Sequence, residues 1–192
     1  MAKLYFRFGS MSSSKSANAL MTKFNYEEKG YKVLLLKPQI DSRDGNNIVK
    51  SRIGLEATAE IVESENEQLY GFKNITNQLN DAHCIIVDEA QFLTKNQIDY
   101  LKNITIDYNI PVFCYGLRTD FQSHLFEGSK RLFEIADSIT ELKSICHCGN
   151  KAIINARHDG EKIIYQGDQV DLGGNEKYIG LCYDCWQKGK IK

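Results

Sequence analysis

The chain has 192 residues, 42% of them hydrophobic and only two of them proline, which is enough apolar content for one core and a small appendage. Its 24 basic residues nearly cancel 25 acidic ones, and a formal net charge of −1 argues against a strongly basic nucleic-acid binder. No apolar run approaches the roughly 18 residues of a membrane span, and Met1-Ala2-Lys3 leads into a strand rather than a signal peptide, so a cytoplasmic chain is expected, whose six cysteines point to a metal or buried thiols before disulfides.

Leu4, Phe6 and Phe8 alternate with Lys3, Tyr5 and Arg7, the period of a strand. Gly9 opens a turn of Ser10, Met11, Ser12, Ser13 and Ser14 that closes on Lys15-Ser16, and Ala17, Leu20, Met21 and Phe24 then recur at the spacing of one helix face. Strand, small-residue loop, Lys-Ser and helix form the layout of a phosphate-binding loop, in which main-chain N–H groups at the positive end of a helix meet a polyphosphate. In the pattern G-x-x-x-x-G-K-[ST], Gly9, Lys15 and Ser16 fit, while Ser14 replaces the second glycine. A left-handed backbone at Ser14 costs about 1–2 kcal/mol. Taken alone, the same residues also suit a serine-rich turn before a helix capped by Ser14 or Ser16.

The helix is expected to end near Lys29-Gly30. Residues 32–37, KVLLLK, read as a buried strand stopped by Pro38, and strand, helix and strand make a right-handed βαβ unit. Residues 40–55 are polar and turn-rich, holding Asp41, Arg43, Asp44, Gly45 and Arg52. They suit a mobile loop near the phosphate site or a plain solvated loop. A strand is expected over 57–62 and a helix over 66–79, with Leu69, Phe72 and Leu79 on its face.

In residues 83–91, HCIIVDEAQ, a central strand of Cys84, Ile85, Ile86 and Val87 runs into Asp88-Glu89. Acids at the carboxyl end of a parallel strand face the ligand crevice of an α/β sheet, where they hold Mg²⁺ and position a nucleophile. They could instead be exposed acids that cap the next helix. Thr94 to Gln97 has capping-box form, with Ile98, Leu101, Thr105 and Tyr108 on one face of the helix that follows. Residues 111–115 make another strand, stopped by Gly116, which delivers LRTDF (117–121) to the same edge. A helix over 127–136 turns Leu132, Phe133 and Ala136 inward, and Cys84 and Cys114 are core thiols.

After Leu142 the character changes. Cys146 and Cys148 in CHC, and Cys182 and Cys185 in CYDC, are two close pairs some thirty residues apart, the pattern of a structural zinc site with four thiolates. Four buried free thiols is the plainer alternative, and His147 is a lesser donor. About fifty residues bury little core, so a metal would staple the β-like stretch between the pairs. Its tip, 166–178, with Gly167, Gly173 and Gly174, reads as a loop held from its base.

GSMSSSKS (9–16), DEAQF (88–92), YGLRTDF (115–121), the four cysteines and GGNEKY (173–178) together resemble the type II, zinc-containing thymidine kinases, in the form of their bacterial branch. The resemblance implies an α/β fold with a P-loop (RecA-like), mostly parallel sheet flanked by helices over 1–142, and a small zinc-binding domain with a lasso loop over 143–192. It implies that Gly9, Ser10, Met11, Ser12, Ser13, Ser14, Lys15 and Ser16 cradle the ATP phosphates. Asp88 would join Ser16 at Mg²⁺, Glu89 would be the general base, and Ala90 and Gln91 would belong to a second nucleotide-contact segment. Phe92, Leu117 and Phe121 would wall the nucleoside pocket, Met11 would lie near the thymine methyl, and Tyr178 and the lasso would cover the base. Asp41 and Arg43 match a DxR element, and Cys146, Cys148, Cys182 and Cys185 would hold Zn²⁺. The implied partners are ATP and thymidine, with no membrane or nucleic acid, in a homotetramer. From the motifs alone, a P-loop ATPase or another small-metabolite kinase with a structural zinc site is the alternative.

Overall fold

Six short strands, every neighbouring pair parallel, form the sheet of this computed structural model, which describes residues 1–41, 45, 47–64, 69–171 and 176–192. In chain order the elements are β1 (Leu4–Phe8), α1 (Lys15–Glu27), β2 (Val33–Pro38), β3 (Ile48–Lys50), β4 (Glu56–Thr58), β5 (Glu60–Val62), β6 (Cys84–Val87), α2 (Lys95–Asp107), β7 (Val112–Gly116), α3 (Glu127–Ile135) and β8 (Ser138–Glu141). The sheet runs β5-β2-β6-β7-β1-β8, and β3 and β4 pair separately as an antiparallel hairpin.

Both faces of the sheet are covered, which is why its central strands are apolar without alternation. On one face Leu34, Leu36, Ile85, Val87 and Val112 pack with Ile98, Leu101 and Ile104 of α2 and Leu132 of α3. On the other, Leu35, Ile86, Phe113 and Tyr115 meet Ala19 and Leu20 of α1 and Val49 of β3. Each fully buried aliphatic or aromatic side chain contributes about 1.5–3 kcal/mol. Cys84 and Cys114 are core residues, and burial pushes the Cys84 thiol up to about 12 and raises that of Cys114 as well.

Several elements depart from the sequence reading. Met21 and Phe24, expected on the buried face of α1, are 53% and 63% exposed. Lys15 and Ser16 explain this. Both point toward the loop and the sheet, and the residues one turn on, Ala19 and Leu20, inherit that direction. The single strand expected over 57–62 breaks at Ala59, whose N–H donates to Asn47 O and so ends the hairpin before β5 joins the main sheet. In place of a helix over 66–79 there are two 3₁₀ turns, 69–71 and 76–81, with residues 66–68 outside the described range. Tyr70 and Gly71 both have positive φ, which no α-helix accommodates. The Thr94–Gln97 capping box forms in full, and Ile104 takes the buried place expected of Tyr108. Strand β8 was not expected at all. It is short and lies at the sheet edge, where none of its four residues is buried and their exposure does not alternate.

Beyond β8 the chain makes a hairpin of β9 (Ser144–Ile145) and β10 (Lys151–Ala152), then β11 (Ile154–His158), β12 (Ile163–Ile164), β13 (Tyr178–Leu181) and a short helix, α4 (Tyr183–Gln187). A second sheet runs β12-β11-β13. Ala152, Ile154, Ala156 and Leu181 pack with Cys146, Cys182 and Cys185 in a core of their own. Among the described residues no helix is long and apolar enough to cross a membrane.

Candidate active site

The carboxyl ends of β1, β6 and β7 open on one cleft. Leaving β1, the chain turns at Gly9, where a Cβ would come within 2.3 Å of both Leu142 O and Ser13 Oγ, so only glycine fits. Ser12 and Ser14 are both left-handed, at φ 66° and 60°. Ser14 is the N-cap of α1 but makes no side-chain cap bond, so its place is conformational. Lys15 is buried, and its ammonium curls back to Ser10 O at 2.8 Å and Ser13 Oγ at 3.4 Å, holding the 9–16 loop closed around its own charge.

The acidic pair reaches this loop. Asp88 follows β6 and is buried, with the Ser16 and Lys15 side chains close enough to favour its charged form. Burial, with the neighbouring Glu89 charge, pushes the Asp88 carboxyl up to about 7 against the opposing pull of Ser16 and Lys15. Among the described residues Asp88 Oδ1 has no hydrogen-bond partner. A buried carboxylate oxygen left open beside a hydroxyl suits a hard cation with oxygen ligands. Glu89 sits at φ 52°, and its Oε2 accepts from Gln91 Nε2 at 2.5 Å. Leu117 N–H donates to Gln91 Oε1 at 2.9 Å, which fixes the amide so that its nitrogen must face Glu89. Gly116 makes room for this, since a Cβ there would lie 2.8 Å from Gln91 Oε1. Ala90 packs into the core instead of facing the cleft.

The cleft beyond Glu89 is open to solvent on one side and largely apolar inside. It brings together Met11, Phe92, Leu117, Phe121 and Tyr178, the residues the sequence nominated as walls. Of its other lining residues, Thr119 and Asp120 lie in the 117–121 segment and Gln169, Val170 and Asp171 in the covering loop, both expected at this edge, while Phe126 and Asn155 are additions. Asn155 of β11 is 2% exposed and joins two loops. Its Oδ1 accepts the Met11 N–H at 2.7 Å, and its Nδ2 donates to Thr119 O at 2.9 Å. Arg157, two residues on and on the same face, donates to Tyr178 Oη and Asp168 O and lies 3.8 Å over the Phe121 ring. Gln169 Nε2 bonds Asp120 Oδ2 at 2.9 Å, and Tyr178 Oη donates to Asp171 O at 2.9 Å. The covering loop is thus held from inside the cleft. Gly173 and Gly174, expected at its tip, lie outside the described residues, as does Arg43, while Asp41 is buried 3.3 Å from the Lys37 ammonium.

Behind the cleft the four cysteines converge. Their sulfurs all lie within 4.8 Å of one another, with Cys148 and Cys182 3.6 Å apart. A tetrahedron of thiolates on one ion of about 2.3 Å bond length needs sulfurs roughly 3.8 Å apart. Cys185 N–H and Asn150 Nδ2 donate to the sulfurs of Cys182 and Cys148 at 3.4 Å each, the outer bonds that orient thiolate ligands. The Cys148 thiol is drawn down to about 6, first by the Asn150 main chain and then by its neighbours. The donor set fits one soft or borderline metal ion.

A model of the thymidine kinase family matches residues 2–186. The chain belongs to that family. The thymidine kinase of Zymomonas mobilis is 52% identical over 183 residues, covering 95% of this chain and 94% of its own. That of Rhodopirellula baltica is 46% identical over 95% of this chain and 86% of its own, and that of phage T4 is 45% identical over 98% and 97%. In this member of the thymidine kinase family, the 9–16 loop and the Asp88-Glu89 pair lie at one cleft, and three of the four clustered cysteines share a core with β11 and β13.

Proposed function

We propose that this chain is a thymidine kinase that transfers the γ-phosphoryl group of ATP to the 5′-hydroxyl of thymidine, and of deoxyuridine, for DNA synthesis by salvage. The observation that carries the reading is the approach of Ser16 and Lys15 to Asp88, which joins the phosphate-type loop to the acidic pair at the mouth of a largely apolar cleft. The main-chain N–H groups of the 9–16 loop and Lys15 bind the β- and γ-phosphates. Ser16 and the open oxygen of Asp88 would hold Mg²⁺, which when bound neutralises charge on the phosphates. Glu89, aimed by Gln91, takes the proton of the 5′-hydroxyl. Met11, Phe92, Leu117 and Phe121 enclose the base, with Tyr178 and the 166–178 lasso closing over it.

Residues 1–142 make the nucleotide-binding unit in this reading, and residues 143–192 make the zinc unit. Cys146, Cys148, Cys182 and Cys185 hold a structural Zn²⁺, the ion that four thiolates at this spacing favour. Family membership supports a cytoplasmic homotetramer, with Met21 and Phe24 among the exposed apolar residues such an assembly would cover.

A coupled ADP-release assay with Mg-ATP and a panel of nucleosides tests the reading. Turnover is expected with thymidine and deoxyuridine and not in their absence. Phosphate released without a nucleoside would mark an ATPase instead. A general base typically supplies roughly 10²–10⁴-fold, so Glu89→Gln should lose that much kcat and keep its thymidine affinity. Wild-type turnover in that variant would remove Glu89 from the role.

A further inference from the structure

One charged side chain reaches the 9–16 loop from an element that the reading above leaves unused. Arg52, at the tip of the β3–β4 hairpin, donates from its guanidinium to Ser12 Oγ at 2.7 Å. The residue is exposed, and this is its one hydrogen bond among the described residues, where no carboxylate pairs with it. An exposed arginine is ordinary. One seated on the loop that binds polyphosphate, beside the loop's own Lys15, is a second cation at a place built for anions.

The hairpin under Arg52 is braced. Val49 is buried against Ala19 and Leu20 of α1, so the hairpin rides on the helix that begins at the loop. The ammonium of Lys37, 1% exposed, sits beneath it and donates to Ile48 O at 2.9 Å and Gly45 O at 3.3 Å. At the tip, Ser51 bonds Leu55 through both main chain and hydroxyl, closing the turn that presents Arg52. Folding therefore delivers the guanidinium to the loop at little further entropic cost.

We propose that Arg52 is a phosphate-binding residue whose guanidinium leaves Ser12 for the terminal phosphate of the ATP held in the 9–16 loop. The inference rests on the proposed ATP site. In the transfer, the bond from the γ-phosphorus to the β–γ bridging oxygen breaks while a bond to the 5′-oxygen forms, and the hydroxyl proton passes to Glu89. Arg52 forms no covalent bond. Its planar fork meets the charge spread over the equatorial oxygens of the phosphoryl group in flight.

Calorimetric titration with Mg-ATP and with Mg-ADP, alongside kcat, on wild type, Arg52→Met and Arg52→Lys separates the outcomes. Arg52→Met should lower kcat on the order of 10³-fold and weaken ATP about tenfold, the loss of roughly one charge-assisted bond. ADP affinity should stay within about twofold, because ADP lacks the group Arg52 binds. Arg52→Lys should recover ATP binding in part and kcat little, since a point charge cannot fork. Equal weakening of ATP and ADP would mean a structural latch on Ser12 and overturn the inference, as would an unaltered variant. Absence of heat from wild type with either nucleotide would overturn the ATP reading and this inference with it.

Discussion

Asp88 is held where water cannot solvate its charge, and that has a measurable sign. Its carboxyl is raised to about 7 in the fold, against about 4 in an unfolded chain. The native state therefore keeps a proton that the unfolded state has released, and the corresponding stability is full below about pH 4 and lost as pH rises through about 7. Melting of the metal-free and nucleotide-free protein should fall in temperature across that window, and Asp88→Asn should flatten the fall. Parallel curves for the two proteins would show that another group carries the dependence. Asp88, Lys15 and Ser16 were legible in the sequence because their chemistry is local: a strand end, a turn, a helix start. Ser14 was legible down to its backbone, since a residue in a glycine position must take a glycine's conformation, as its φ of 60° does. Asn155 and Arg157 were not legible. Each is one polar residue in a β-like run, and what distinguishes Asn155 is a bond to Met11, 144 positions away.

At the scale of elements, β11 is the member that joins everything. One strand carries Asn155, which ties the 9–16 loop to the loop after β7, and Arg157, which ties the covering loop to Phe121. Asn155→Leu would leave the Met11 N–H and the Thr119 carbonyl buried and unpaired, at about 1–3 kcal/mol for each group. Chemical denaturation should show a loss of that order, and the KM for ATP and for thymidine should rise together. A rise for thymidine alone would mean that Asn155 touches only the nucleoside side. Elements with strong periodicity or capping, such as α2 and the buried β6, were readable in advance, whereas β8 and the 69–81 region were not. Four residues at a sheet edge carry too little pattern, and a positive φ at Tyr70 comes from tertiary context that no propensity scale holds.

For the whole molecule, the two cores are mechanically one at the cleft. Ser10 Oγ donates to Ala152 O of β10 at 3.3 Å, next to the Met11–Asn155 bond, so the loop that would hold phosphates leans on the cysteine-bearing unit. Stripping the proposed metal with a chelator should therefore raise the KM for ATP as well as for thymidine, beyond any effect on the lasso. An ATP KM that survives demetallation would show that the fifty-residue unit keeps its strands without an ion.

Two sulfur atoms buried in the central strands bear on how such an experiment is read. Cys84 and Cys114 are sealed in the sheet with their protons tightly kept, so they offer no thiolate to an alkylating or disulfide-forming dye while the sheet is intact. Any sulfhydryl titre taken on the native protein thus draws on the other four at most, and a rise in it would mark release of the ion proposed to sit among them.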